Sequence, residues 1–263
     1  MRRKLLWLGL FFALAGCSSG PGPARLPLSP APAVEVIVSA AASLSDALQE
    51  AGAQFEIATA GVKLRFNFGS SGALGQQIEQ GAPVDLFISA APGPMESLVR
   101  RNLVDGRAVR TVATNRLVLI RSKAGPAVVQ TWADLKGDAV RQIAVGNPQH
   151  VPAGQYARTV LEHLSLWGAV QTRLVLGEDV RQVLQYTESG AVQAGIVYST
   201  DAATSAKVVV VAEAPAGSHP PVTYPLAVLQ GSRHPAEAGA FADYLKGPAG
   251  TAVLRKYGFG PGN

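Results

Sequence analysis

The sequence predicts an α/β fold, because short apolar runs with the period of a strand alternate with longer segments of helical period. Residues 34–40 form the first strand-like run. From about Ser43 a helix is expected, with Leu48, Ala51 and Phe55 recurring on one face. Strands that alternate with helices in this way are typical of largely parallel sheets covered by helices.

The next elements follow the same alternation. Gly61 suits the end of the first helix, and apolar residues then occupy every second position of residues 62–68, as in a half-buried strand. A helix is predicted through 74–78, a buried strand at 84–89 and a helix around 95–101. No internal repeat is visible.

A second α/β series begins with a strand at residues 116–120. We predict further strands at 142–145, 174–176, 195–198, 207–212 and 222–229, and helices at 156–167, 180–188 and 236–257, the last interrupted near Gly247 and Pro248. The whole series fits either one doubly wound sheet or two lobes joined by the strands 116–120 and 222–229. Periodicity alone leaves both arrangements open.

The first segment has the pattern of a secretory leader. Basic residues at positions 2–4 precede an apolar run at 5–14, which is well short of the ~20 residues that a membrane-spanning helix needs. Small residues directly before Cys17 resemble a bacterial lipobox, so we expect residues 1–17 to be a lipoprotein signal peptide. An acylated Cys17 would become the mature N-terminus and hold the protein on a membrane surface. The alternative is an ordinary signal peptide that contains a cysteine.

Composition narrows the class of protein further. Residues 18–33 are rich in Pro, Gly and Ser and predict a flexible tether. The formal charge is +5, and removal of the three positive charges in residues 1–17 leaves +2, which does not favour a nucleic-acid partner. Cys17 is the only cysteine, so no intramolecular disulfide can form. We therefore expect an exported protein, periplasmic or on the cell surface, that acts as a monomer.

Loops rich in small residues precede several predicted helices, at residues 40–46, 69–74, 147–154 and 178–180. A helix N-terminus presents unpaired N–H groups and a partial positive charge, and small residues allow an anion to approach. Several such ends in one cleft would bind a tetrahedral oxyanion through neutral donors. The alternative is ordinary helix capping, which is common for any one loop.

Catalytic alternatives have little support in the sequence. The four histidines lie far apart without metal-ligand spacing, and no nucleophile elbow, phosphate-binding loop or dinucleotide fingerprint is present. Ser71 between Ser70 and Gly72 could act as the nucleophile of a serine hydrolase, but no pattern assigns it a base. We predict a binding protein and not an enzyme, with no cofactor and no metal cation, and interpret His150 as a loop residue.

Taken together, the motifs resemble those of the periplasmic molybdate-binding proteins of ABC importers over about residues 36–259. The segments that carry the resemblance are AAASLSDAL at 40–48, SSGAL at 70–74, QIEQGAPVDLFISA at 77–90, AVGNPQHVPAGQYA at 144–157, EDVRQVL at 178–184, GIVYSTDA at 195–202, YPLAV at 224–228, and YLKGPAG and RKYGF near the end. The resemblance implies a two-lobed solute-binding fold, type II-like, in which each lobe is a mixed sheet flanked by helices and the ligand lies between them. One lobe would comprise residues 34–118 plus 225–263 and the other residues 119–224.

The resemblance also implies the ligand and its contacts. Molybdate, or tungstate, would be bound by Ser43, Ser71, Ala153, Val180 and Tyr198, the serines and the tyrosine through hydroxyls and the other two through backbone N–H groups. The partner would be the membrane permease of the importer. Another tetrahedral oxyanion such as sulfate is the alternative ligand.

A site made only of donors would reject an anion that carries a proton, because an unmatched buried group costs about 1–3 kcal/mol. Sulfate carries no proton and could be rejected only by size. We expect Asp46 and Asp179 to point away from the anion, and Gly72, where some relatives have Ser or Thr, to leave its N–H available.

Overall fold

The structure, a computed structural model, describes residues 33–262. The predicted leader with Cys17, residues 18–32 of the predicted tether, and Asn263 lie outside the described residues. None of the helices within 33–262 is both long and apolar enough to cross a membrane.

Strands and helices alternate along most of this part of the chain. The strands are β1 (Val34–Ala41), β2 (Val62–Gly69), β3 (Leu86–Ile88), β4 (Arg110–Asn115), β5 (Leu117–Ser122), β6 (Ile143–Gly146), β7 (Leu174–Gly177), β8 (Ala194–Tyr198), β9 (Val208–Glu213), β10 (Val222–Val228) and β11 (Gly260–Pro261). The helices are α1 (Ser45–Ala58), α2 (Ser71–Glu79), α3 (Pro92–Arg100), α4 (Pro152–His163), α5 (Trp167–Val170), α6 (Val180–Glu188), α7 (Ser199–Ala203), α8 (Pro235–Lys246) and α9 (Pro248–Lys256). A short 3₁₀ turn, Ala42–Leu44, joins β1 to α1.

Two mixed sheets form the framework. The first has the strand order β11-β4-β10-β3-β1-β2, with β1 parallel to β2 and β3, and β10 antiparallel to β3 and β4. The second has the order β7-β6-β8-β5-β9, with β6 parallel to β7 and β8, and β5 antiparallel to β8 and β9. We refer to each sheet with its helices as the first and second lobe.

The chain passes from the first lobe to the second between Asn115 and Leu117, and it returns between Glu213 and Val222. Residues 117–118 thus pair in the second sheet and residues 222–224 in the first, a few positions away from the boundaries expected at 118/119 and 224/225. The strand predicted at 116–120 belongs to the second sheet throughout its paired length.

Most predicted elements are present, and the differences have local causes. The helix expected at 156–167 begins at Pro152, because proline suits the first turn, where its missing N–H is not needed. The long helical stretch divides at Gly247 and Pro248 as expected. β4, β11, α5 and α7 were not predicted, because β4 has an irregular polar pattern and the other three are only two to five residues long.

The carboxyl ends of the parallel strands position the loops of interest. β1 and β2 in the first lobe, and β6, β7 and β8 in the second, each lead into the N-terminus of a helix. Ligands of open α/β sheets bind at the carboxyl ends of the strands, because the loops converge there. Loops at the carboxyl ends of strands in both sheets line one narrow cleft, so these two ends face each other.

Candidate functional site

The five residues expected to contact a ligand line one cleft between the lobes. Ser43 follows β1, Ser71 follows β2, Ala153 follows β6, Val180 follows β7, and Tyr198 ends β8. The space that these residues enclose is small, with a cavity volume of about 10 Å³. The carboxyl ends of the strands in the two sheets thus bring together residues that are far apart in the sequence.

The hydroxyl of Ser71 has its proton available for the cleft. Its Oγ accepts a hydrogen bond from the backbone N–H of Ala90 at 2.9 Å, and a backbone N–H can only donate. The neighbouring Ser70 caps α2, because its Oγ accepts from the N–H of Ala73 at 3.4 Å. Ser71 is completely buried and lines the cleft, where its hydroxyl can donate to a ligand.

Ala153 and Val180 lie in the first turns of α4 and α6, where N–H groups have no acceptor within the helix. Asp179 caps α6 by accepting from the N–H groups of Arg181 and Gln182 at 2.8 and 3.0 Å. The N–H of Val180 is not used by this cap. Both helices direct the positive end of their dipole at the cleft.

Tyr198 has a buried hydroxyl without a hydrogen-bond partner among the described residues. The side chain is only 1% exposed. Burial is the main reason that the pKa of Tyr198 lies well above its usual value, so the hydroxyl keeps its proton. A buried and unsatisfied O–H costs about 1–3 kcal/mol, and such groups in native proteins usually serve a ligand or a water molecule.

The cleft is lined almost entirely by neutral groups. Among the described residues that line it, only Asp179 is charged, and its Oδ1 is already engaged as a helix cap. A fully deprotonated anion would meet hydroxyl and amide donors and helix dipoles there. The expectation that the carboxylate of Asp179 serves its own helix agrees with this geometry.

A partly buried ionic cluster connects the two lobes. Arg181 on α6 contacts Asp46 Oδ2 of the first lobe at 2.7 Å and Asp201 Oδ1 of α7 at 2.8 Å. Asp201 is fully buried, and this desolvation raises its pKa to about 7, although Arg181 opposes the rise. Asp46 therefore faces Arg181 and not the anion-sized space.

A second contact between the lobes involves the loop before α4. The N–H of Gly72 donates to the carbonyl oxygen of His150 at 3.0 Å, and Ser70 Oγ hydrogen-bonds His150 Nδ1 at 2.9 Å. The expectation that Gly72 leaves its N–H available was wrong, because this group is used to join the lobes. A Cβ at Gly72 would lie 2.4 Å from the His150 oxygen, so the absence of a side chain permits the close approach.

Sequence reasoning missed several residues that support the site. Tyr224 and Asn115 lie behind Ser43, and Arg181 and His150 hold the lobes together. Arg181 follows Val180 directly, which is the only sequence signal that could have marked it. Tyr224 and Asn115 are distant from Ser43 in sequence, so no spacing rule could have found them. Within 33–262 no group of His, Cys, Asp or Glu side chains could hold a metal ion.

Comparison with known proteins places this architecture in a family. The model of the family described as "Bacterial extracellular solute-binding protein" matches residues 36–260. The chain therefore belongs to the bacterial extracellular solute-binding proteins. Membership of this family confirms the prediction of a binding protein and not an enzyme, and the two-lobed α/β fold agrees with it.

Molybdate-binding proteins and a substrate-binding lipoprotein are among the proteins that the chain resembles. It is 39% identical to the molybdate-binding protein ModA of Escherichia coli (strain K12), over 98% of this chain and 99% of that protein. It is 40% identical to YvgL of Bacillus subtilis (strain 168), which carries the name of an ABC transporter substrate-binding lipoprotein, over 96% and 95%. The solved periplasmic molybdate-binding protein of Azotobacter vinelandii superposes with a TM-score of 0.76 at 28% identity, covering 85% of this chain and 98% of that one.

Proposed function

We propose that the protein captures molybdate, and also tungstate, outside the cytoplasm and delivers it to the membrane permease of an ABC importer. Ser43, Ser71 and Tyr198 would donate hydroxyl protons to the oxyanion, and Ala153 and Val180 would donate backbone N–H groups. The observation that carries the proposal is the unsatisfied buried hydroxyl of Tyr198, which lines a cleft of neutral donors. The names of the relatives support molybdate as the ligand.

The finer points of this function are also proposed. Acylation of Cys17 would anchor the protein to a membrane, which the lipoprotein name of YvgL supports. The protein would act as a monomer whose two lobes close around the anion. Closure would create the surface that the permease recognises, because the ligand stabilises the closed arrangement.

The first test is a calorimetric titration of residues 18–263, which contain the compact unit of residues 33–263. We expect tight one-to-one binding of molybdate and tungstate, and little heat from sulfate and phosphate. Equally tight binding of sulfate would replace the proposal with a broader oxyanion carrier. If none of the four anions binds, the assignment of both ligand and site residues is wrong.

The variant Tyr198→Phe tests the central observation in two ways. Removal of an unsatisfied buried hydroxyl should stabilise the ligand-free protein by about 1 kcal/mol or more. Loss of a donor to a charged ligand should weaken molybdate binding roughly ten- to hundredfold, since such hydrogen bonds contribute about 1.5–3 kcal/mol. Thermal unfolding without ligand and calorimetry with molybdate measure the two effects.

Tyr244→Phe is the matched control, because its hydroxyl bonds the side chain of Gln54 at 3.0 Å on the exposed surface. We expect little change in either measurement for this variant. Unchanged molybdate affinity in Tyr198→Phe would show that the hydroxyl does not contact the ligand.

A further inference from the structure

Behind Ser43 lies a short chain of buried hydrogen bonds. Asn115 Nδ2 donates to the hydroxyl oxygen of Tyr224 at 3.0 Å, and this hydroxyl is 2.9 Å from Ser43 Oγ. Tyr224 is completely buried and Ser43 is 2% exposed. Asn115 ends β4 and Tyr224 lies in β10, so the chain of bonds begins near both passages between the lobes.

The orientation of the Asn115 amide is fixed by its other partners. Its Oδ1 accepts from the backbone N–H of Arg116 at 2.8 Å and from Ser199 Oγ at 3.0 Å. Because a backbone N–H can only donate, this atom must be the oxygen. The amide nitrogen therefore faces Tyr224, and also Thr200 Oγ1 at 2.8 Å, and donates to both.

The direction of the remaining bonds follows from this orientation. The Tyr224 oxygen receives a proton from Asn115, and its own proton needs an acceptor because the group is buried. Among the described residues, Ser43 Oγ is the remaining partner of this hydroxyl. Burial raises the pKa of Tyr224 well above its usual value, so the proton stays on the hydroxyl. Ser43 Oγ thus accepts from Tyr224, and its own proton is free to point into the cleft.

We propose that Asn115 and Tyr224 are positioning residues that keep the proton of Ser43 available for the ligand and thereby favour oxyanions that carry no proton over those that do. The inference rests on the proposed function, since it concerns the selectivity of the same cleft. A protonated anion needs an acceptor, and a freely rotating serine could supply one with its lone pairs. The bond from Tyr224, which Asn115 orients, occupies one of these lone pairs and leaves the Ser43 proton for the cleft.

The variant Asn115→Asp should reverse the direction of the bonds. A carboxylate at position 115 only accepts, so Tyr224 would donate to it, and Ser43 would donate to Tyr224. Ser43 would then present a lone pair to the cleft. Arg116, Ser199 and Thr200 can all donate to the carboxylate, so no partner is left unsatisfied.

The experiment is a titration of the chain from residue 18 onward at pH 6.5 with molybdate, sulfate and arsenate. Arsenate carries at least one proton at this pH, whereas sulfate carries none. For Asn115→Asp we expect the affinity ratios of molybdate to arsenate and of sulfate to arsenate to fall by about tenfold or more. Tyr224→Phe, which adds no charge and frees Ser43, should shift both ratios in the same direction by a smaller factor.

Asn67→Asp is the control for the added charge. Asn67 lies near the carboxyl end of β2 and hydrogen-bonds Ser39, not Ser43. This variant should weaken the binding of all three anions by a similar factor and leave their affinity ratios unchanged. Thermal unfolding of each variant checks that it is folded. If wild-type protein binds molybdate and neither Asn115→Asp nor Tyr224→Phe changes the ratios, the inference is overturned and the proposed function stands. If the wild type binds none of the anions, the proposed function itself fails.

Discussion

Gly154→Ala should abolish most of the anion affinity and destabilise the protein as well. A Cβ at this position would lie 1.9 Å from the carbonyl oxygen of Gly146 and 2.5 Å from its carbonyl carbon. Both are backbone atoms of β6, so no flexible side chain can move aside. The N-terminus of α4 would have to shift away from the sheet and carry the N–H of Ala153 with it.

The expected losses of stability and of affinity follow from overpacking and from the lost hydrogen bond. Overpacking of this kind costs about 1–3 kcal/mol of unfolding free energy. Displacement of one donor from a charged ligand costs about another 1.5–3 kcal/mol of binding, which is roughly ten- to hundredfold in affinity. Urea unfolding and calorimetry with molybdate measure the two losses.

Gly239→Ala provides the control. Gly239 lies inside α8, and a Cβ there meets nothing within 4 Å. Because alanine favours a helix over glycine, this variant should be unchanged or up to about 1 kcal/mol more stable, with normal affinity. Wild-type binding by Gly154→Ala would show that the start of α4 does not set the ligand contact.

Arg181→Met should destabilise the protein strongly at alkaline pH and less at acidic pH. Asp201 is completely buried, and removal of its partner leaves an uncompensated charge, which typically costs about 3–5 kcal/mol. Below the folded-state pKa of Asp201 the carboxyl is neutral and this cost disappears. Since Arg181 holds that pKa down, the variant should raise it above about 7.

The pH dependence of the wild type has a defined sign. The pKa of Asp201 is raised from 3.8 to about 7 on folding, so the folded state holds the proton more tightly than the unfolded state. The contribution of this group to stability is complete below pH ~4 and is lost as the pH rises to about 7. Unfolding free energies at pH 5 and pH 8 should show a fall that is absent in Asp201→Asn and larger in Arg181→Met.

Arg65→Met is the control for loss of an arginine. Arg65 pairs with Glu35 at 2.9 Å on the surface, with side chains 70% and 52% exposed. Exposed pairs contribute at most about 1 kcal/mol, and we expect little pH dependence for this variant. An equal loss of stability at both pH values in Arg181→Met would show that Asp201 is not the group responsible.

The sequence carried enough information for most of the fold. Strict alternation in residues 62–68 and the apolar run at 34–40 predicted β2 and β1, because the period of a half-buried or buried strand is local. The order of the strands within each sheet was not predictable from the hydrophobic period of the sequence. That β6 lies between β7 and β8 depends on contacts between residues far apart in the chain.

The candidate site was likewise predictable only in part from the sequence. Loops before helices marked the segments of Ser43, Ser71, Ala153 and Val180, since capping signals lie within a few residues of each other. Tyr198 came only from the resemblance, because a tyrosine at the end of a strand has no distinctive spacing. The proton direction on Ser43 depends on Asn115 and Tyr224, whose arrangement only the folded chain reveals.

The contacts that join the lobes over the cleft have a kinetic consequence. Gly72 and Ser70 bond His150, and Arg181 pairs with Asp46. An anion enclosed in the cleft would therefore leave only after these contacts separate. The lifetime of the complex would then reflect a movement of the protein more than the strength of each donor. A permease that pulls the lobes apart could accelerate release many-fold without touching any group that binds the anion.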